Sequence, residues 1–171
     1  MHVRRGRLFH KSCVIQENLY LCLCKPQPSL NTNPTKMDLT IHIKKGIGDL
    51  LFDMPVERVV ELWGEADDVE NIDNAADETT TLLHYPDVTL FFEGENPTLS
   101  CVDISHPDST LLGKKIFELS EKEVVKLMVD NQYYEQDVDN EAWGERRVTF
   151  NEGNIDFYFE GATLISVLIG K

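Results

Sequence analysis

The chain has 171 residues, of which 42% are hydrophobic and 27% are charged. This composition is that of a folded globular protein, large enough for one domain or for two small units that share a core, and it excludes a disordered chain. Its 30 acidic and 16 basic residues give a formal net charge of −14. That charge argues against nucleic acid and anionic membranes as partners, because both bind Lys and Arg, and it suits high solubility or a basic protein partner.

The first 36 residues differ from the rest of the chain in charge and in cysteine content. They hold six basic side chains, one acid and three of the four cysteines, and a polar, proline-rich stretch precedes Met37. Their apolar patch at 13–24 is too short and too polar for a membrane span, and no clean apolar run with a small-residue cleavage site marks an export signal. We expect residues 1–36 to be a disordered or wrongly assigned N-terminal extension of a cytoplasmic protein without membrane insertion. Lipid modification of Cys24 would instead indicate an envelope lipoprotein.

Helices and strands follow one another in a regular order after Met37. A short strand is expected near 39–43, and a helix over 54–62 has Pro55 in its first turn and Gly64 as its stop. A second helix begins at the capping box Ser120-x-x-Glu123. Three strands with alternating apolar residues follow each helix. Their ranges are 79–85, 88–93 and 99–105 in the first set, and 145–150, 155–160 and 164–169 in the second.

This order repeats because the sequence itself repeats. At an offset of 65 residues, the pattern at 48–54 matches that at 113–119, and the pattern at 99–104 matches that at 164–169. The stretch LFFEG at 90–94 returns as FYFEG at 157–161, and the small change of offset falls at turns, where insertions are tolerated. We infer an internal duplication, with repeat 1 at 37–109 and repeat 2 at 110–171 in one compact domain.

The repeats predict an α+β fold class. Two tandem units, each a helix followed by a three-stranded meander, are expected to form one antiparallel sheet with both helices packed on one face. A unit of about 60 residues buries a small core by itself, so two units sharing one sheet are physically reasonable. The other face of the sheet is then open to solvent or to a partner.

The apolar pattern of the first repeat resembles that of the small-protein-A/outer-membrane-lipoprotein type of repeat. The residues that carry the likeness are Met54, Val59, Gly64, Asp67, Tyr85, Val88, Leu90, Phe92 and Gly94. Over 37–171 the chain is also similar to the β-lactamase-inhibitory protein fold of two tandem helix-plus-sheet units. It departs from the repeat pattern at Ala66, where Pro is frequent, and at 130–131, where the second copy lacks the Gly. The resemblance implies a non-enzymatic protein that binds another protein over a sheet face, and it transfers no binding residue.

Two acidic runs follow the two helices at equivalent places. Residues 65–78 contain seven acids and residues 130–145 contain six. A calcium loop of the EF-hand type needs a central Gly for its sharp turn, and the first run has none. We interpret both runs as solvated loops between helix and strand, and we expect no metal and no cofactor.

The chain offers no clear catalytic constellation. It contains no nucleophile elbow, phosphate loop or dinucleotide fingerprint. Cys101 is interpreted as a packing residue, and the repeat-related pair Glu93 and Glu160 as residues that flank turns. We therefore expect a protein that is not an enzyme.

Aromatic residues in the second acidic run complete the candidate binding site. Exposed Tyr and Trp among charges are typical of a protein-binding hot spot, although one Tyr and Trp143 could equally close the end of the core. The candidate partner-binding residues are Tyr133, Tyr134, Trp143, Asp67, Asp68, Asp137 and Asp139. The leading hypothesis is a bacterial immunity or inhibitor protein for a basic partner. The alternative is a cell-envelope lipoprotein or assembly accessory, which needs an export signal in residues 1–36.

Overall fold

The computed structural model describes residues 37–73, 79–140 and 144–171. The predictions for residues 1–36, for 74–78 of the first acidic run and for Trp143 lie outside these ranges. Within them the chain forms two α-helices, α1 (Val56–Trp63) and α2 (Glu121–Asp130), and thirteen strands. The strands are β1 (Thr40–His42), β2 (Gly46–Ile47), β3 (Leu50–Leu51), β4 (Asp68–Asp73), β5 (Thr79–Tyr85), β6 (Val88–Glu93), β7 (Thr98–Ile104), β8 (Thr110–Leu111), β9 (Lys114–Lys115), β10 (Gln136–Asn140), β11 (Arg146–Phe150), β12 (Ile155–Glu160) and β13 (Thr163–Gly170).

Eight strands form a large antiparallel sheet in the order β10-β11-β12-β13-β7-β6-β5-β4. It consists of two four-stranded meanders, β4–β7 and β10–β13, which join where β7 pairs with β13 and Ile104 lies opposite Val167. The register shifts once in each meander, at 91–92 between β6 and β7 and at 158–159 between β12 and β13. Each shift lies in the aromatic stretch that the two halves of the sequence share.

The core lies between the large sheet and the two helices. Alternate residues of β6 and β12 are buried, and they meet Val59 of α1 and the pair Val124 and Met128 of α2 in one continuous apolar cluster. The phenyl rings of Phe150 and Phe157 pack edge to face with centroids 6.0 Å apart. Each large apolar side chain buried here contributes about 1.5–3 kcal/mol to folding. The alternating residues are Val88, Leu90 and Phe92 on β6, and Ile155, Phe157 and Phe159 on β12.

The two helices begin and end through different local interactions. Pro55 precedes α1, and Gly64 ends it with a φ of 85°, a left-handed conformation that Gly adopts without strain. The Tyr85 hydroxyl donates to the Gly64 carbonyl at 2.9 Å, and the Tyr85 ring packs edge to face on Trp63. The predicted capping box opens α2, since the backbone N–H and the hydroxyl of Ser120 both donate to the Glu123 carboxylate.

A second, smaller sheet ties the beginnings of the two halves together. Its order is β3-β2-β1-β8-β9, and β1 pairs with β8 in parallel, with Thr40 opposite Thr110. The Thr110 hydroxyl and the Thr40 hydroxyl lie 3.3 Å apart across this pair. Residues 70 positions apart in the chain are therefore neighbours.

The expected fold class is wrong. Strands hold 48% and helices 19% of the residues that the structure describes, so the chain is mostly β rather than α+β. The described strands form two sheets instead of one, and each meander has four strands instead of three. The additional strands arise because both acidic runs pair with their neighbours, and because short segments near 46–51 and 110–115 form the smaller sheet.

Candidate functional site: the open face of the large sheet

The side of the large sheet away from the helices carries the candidate site, which we call the open face. On β6, Thr89 and Phe91 are partly exposed and alternate with fully buried neighbours, and on β12, Asp156 and Tyr158 do the same. Because successive side chains of a strand point to opposite sides, these residues share the surface that the helices leave uncovered. The open face therefore combines aromatic rings with carboxylates.

Two aspartates and one leucine occupy the centre of the open face, where the two meanders join. Leu168 on β13 lies opposite Asp156 on one side and Asp103 on the other. Asp103 accepts a hydrogen bond from the Ser166 hydroxyl, and Asp156 accepts one from the Thr149 hydroxyl. Hydroxyl donors on neighbouring strands therefore hold both carboxylates in place and leave each of them an acceptor site.

Two shallow depressions lie on the open face, one on each side of Leu168. The first has a volume of about 300 Å³ and is lined by residues that include Glu93, Cys101 and Asp156. The second has a volume of about 370 Å³, and Asp103 and Tyr158 are among its lining residues. Both depressions lie along the seam, the line where β7 pairs with β13 and the two meanders join. They are concave, so side chains of a partner can fit into them.

Acidic side chains dominate the charge of the open face. Its carboxylates are those of Asp68, Glu70, Glu93, Asp103, Asp137, Asp139, Asp156 and Glu160. The basic side chains that reach it have acidic neighbours: Arg147 Nη2 lies 2.7 Å from Asp139, and Lys171 Nζ lies 2.8 Å from Asp53. The open face is therefore a negatively charged surface with apolar groups at its centre.

Three of the acidic residues predicted from the sequence, Asp68, Asp137 and Asp139, lie on the open face but at opposite edges. Asp68 is on β4, whereas Asp137 and Asp139 are on β10. Seven strand spacings of about 4.8 Å separate these edges, or roughly 34 Å along the sheet. Asp67 lies just before β4, and its N–H donates to the His84 carbonyl at 2.8 Å. The two acidic runs thus form no common patch by themselves.

The interpretation of these runs as loops is wrong, since 68–73 and 136–140 form edge strands. The residues that connect them into one acidic surface are Asp103 and Asp156, which the sequence patterns did not single out. Asp103 and Asp156 each lie between two buried apolar residues of a strand, and this alternation places them on the side away from the core. Their common neighbour Leu168 becomes evident only from the pairing of β7 with β13.

The predicted aromatic residues have separate positions. Tyr133 is partly buried and packs against the core, which is the structural role considered for one of the tyrosines. Tyr134 is 62% exposed and lies before β10, where its backbone N–H donates to the Glu152 carboxylate. Trp143 lies outside the described residues. The aromatic rings on the open face are instead those of Phe91 and Tyr158.

Burial controls the protonation of the thiol in the first depression. Desolvation, with a smaller contribution from nearby carboxylates, raises the pKa of Cys101 to about 12. A thiol with this pKa remains protonated at neutral pH, and it is the thiolate that acts as nucleophile or metal ligand. In the described part of the chain, no three His, Cys, Asp or Glu side chains converge as a metal site would require.

Comparisons with known proteins give no further guidance. No family model matches the chain, and no curated protein or solved structure matches it. Among the described residues, neither helix has the length and apolar character needed to cross a bilayer.

Proposed function

We propose that this protein is a non-enzymatic, cytoplasmic protein-binding module, an immunity or inhibitor protein that receives a basic region of another protein on the open face. The observation that carries the proposal is the row in which Asp103 and Asp156 flank Leu168. Carboxylates complement Lys and Arg on a partner and accelerate encounter, while apolar groups between them supply the desolvated contact that holds the complex.

The dimensions of the open face fit a protein partner. The strands of the large sheet have five to eight residues and are therefore about 17–26 Å long, and eight strands extend over roughly 34 Å. The product is about 600–900 Å², which includes the roughly 800 Å² that each partner contributes to an interface of standard size. The two depressions of about 300 and 370 Å³ are small features within this area.

Phe91 and Tyr158 are the expected anchors of the interface. Aromatic side chains bring a large contact area at a low cost in conformational entropy, and hot spots are rich in them. Both rings are partly exposed and lie near the carboxylates of the central strands. The peripheral acids steer association and make it sensitive to salt, since exposed charges are screened over about 8 Å at physiological ionic strength.

The proposal is tested with charge-reversed variants of the full chain immobilised in parallel. Glu93→Lys/Glu160→Lys changes the open face. Asp49→Lys/Glu61→Lys makes the same change in net charge in the turn between β2 and β3 and on α1, away from that face. We expect the wild type and the control variant to retain one basic protein from the source lysate in stoichiometric amount. Moderate salt should release it, and the open-face variant should not retain it. Equal retention by the two variants, or none by the wild type, would contradict the proposal.

A further inference from the structure

We infer that the outer edge of β4 receives an extended, basic segment of the partner as an additional strand of the large sheet. This inference rests on the proposed function and deepens it by naming the chemistry of the segment that is bound. Addition of a strand to a sheet edge obtains affinity from main-chain hydrogen bonds and specificity from alternate side chains.

The backbone of β4 is a regular and open template. Its six residues pair with β5 in continuous register, from Asp68 opposite His84 to Asp73 opposite Thr79, without a bulge. No strand in the described ranges pairs with its other edge, so within those ranges the outward backbone N–H and C=O groups of β4 have no strand partner. Proteins usually protect such an edge with charged side chains, Pro, a bulge or a very short strand. β4 has no Lys, no Pro and no bulge, and the charges that it carries are acidic.

The side chains of β4 offer apolar contact on both sides of the sheet. Val69 is 54% exposed on the helix side, and Ile72 is 42% exposed on the open-face side. Alternation places Asp68 and Glu70 on the open-face side together with Ile72. An incoming strand with Lys or Arg at every second position would therefore meet carboxylates on the open face, and its remaining apolar residues would meet Val69.

The other edge of the sheet provides an internal comparison, because its open-face acids are already engaged. Asp137 on β10 accepts a hydrogen bond from the Asn151 side-chain amide at 2.8 Å, and Asp139 lies 2.7 Å from Arg147. On β4, by contrast, Glu70 comes only to 3.7 Å from His84 Nε2. The Glu70 carboxylate is therefore more available to an incoming cation than those of Asp137 and Asp139.

The negative charge of β4 also disfavours a second copy of this chain as the occupant of the β4 edge. Pairing of β4 with β4 of another copy would bring carboxylates together across the new strand pair, and like charges directly opposite each other are destabilising. A basic strand at the same edge would instead place positive side chains opposite these carboxylates, which is favourable. The acidic side chains thus serve as protection against self-association and as the means of selecting the partner.

The test uses a synthetic peptide, acetyl-TKVKVKT-amide, and the full chain. We expect hydrogen exchange of the backbone amides in 68–73 to slow at least about tenfold with saturating peptide, while the amides in 136–140 are unaffected. A peptide of the same sequence with N-methyl groups on its five central residues keeps the charge and removes the main-chain donors, so it should not bind. Equal binding of the two peptides, or protection at 136–140 instead, would overturn the inference.

Matched variants separate the β4 edge from general electrostatic attraction. Asp68→Asn/Glu70→Gln should weaken peptide binding about fivefold, the effect of losing one to two exposed ion pairs. Asp137→Asn/Asp139→Asn removes the same charge from β10 and should leave the affinity unchanged. Equal weakening by both variants would also overturn the inference. If the peptide fails to bind while the open-face variants still abolish capture of the partner, the proposed function stands and the β4 inference falls.

Discussion

At the scale of single residues, Cys101 shows how burial changes chemistry on an otherwise polar surface. Its side chain lies on the open face beside Phe91 of the neighbouring strand, and burial raises its pKa to about 12. The ordinary value of 9.0 applies in the unfolded chain. The thiol therefore contributes stability that is fully present below pH 9 and is lost as the pH rises towards 12, because only the unfolded state then releases its proton.

This linkage gives a prediction for alkaline pH. The free energy of unfolding of the wild type should fall more steeply between pH 9 and 11 than that of Cys101→Ala, whereas the two should run parallel below pH 8. Urea titrations at a series of pH values measure both curves. The other three cysteines are present in both proteins, so their contributions cancel. Parallel curves over the whole range would contradict the assignment of the shift to Cys101.

Individual residues also show how far the sequence predicts the candidate site. The alternation of Val88, Leu90 and Phe92 correctly predicts their burial, since one side of a strand must face the core. The role of Asp103 and Asp156 could not be predicted in the same way. Asp103 lies beside Leu168 only because β7 pairs with β13, in which the bonded residues Asp103 and Ser166 are 63 positions apart, and no local period records such a pairing.

At the scale of elements, the first turn of α2 illustrates a strong local signal. Ser120 and Glu123 form the capping box, and the two hydrogen bonds from Ser120 lower the pKa of Glu123. Because this pattern lies within four residues, it is readable without knowledge of the tertiary fold. The pattern therefore predicts the beginning of α2 correctly.

The capping box predicts a defined loss of stability. Ser120→Ala should lower the free energy of unfolding by about 1 kcal/mol, since it removes the hydroxyl that joins the cap to Glu123. Urea unfolding of the full chain measures the change. Lys122→Ala alters an exposed residue of the same turn and should change stability by less than about 0.5 kcal/mol. A loss for Lys122→Ala as large as that for Ser120→Ala would contradict a specific role of the cap.

The edge strands β4 and β10 show where local signals fail. Every described side chain of these two strands is exposed, so neither face imposes the apolar alternation by which strands are recognised. Runs rich in Asp and Asn also have low strand propensity. Backbone pairing with β5 and β11 nevertheless makes them strands, because the neighbouring chain supplies the hydrogen bonds.

At the scale of the whole molecule, one core links the two meanders. Ile104 and Val167 are fully buried and pair across the seam, and the apolar cluster runs from α1 through the seam to α2. A cluster without a break is expected to unfold as one cooperative unit. The resemblance to tandem repeats described above stays a prediction, because no comparison tests it.

The shared core predicts that damage at the seam affects both halves. Ile104→Ala should lower the free energy of unfolding by about 2–5 kcal/mol. Hydrogen exchange of the amides in β6 and in β12 should then accelerate by the same factor. Val69→Ala, at a residue that is 54% exposed, is the control and should change stability by less than about 0.5 kcal/mol. Acceleration in only one meander would show that the two halves unfold separately.

The seam also governs how the sheet can be assembled during synthesis. The partner of β7 is β13, and the bonded residues Asp103 and Ser166 are 63 positions apart. A ribosome that adds about 5–20 residues per second needs roughly 3–13 s to make that length of chain. Until then, the strand that will lie in the middle of the finished sheet is a temporary edge, and the nascent chain is exposed to wrong pairing at the position where the mature protein is best protected.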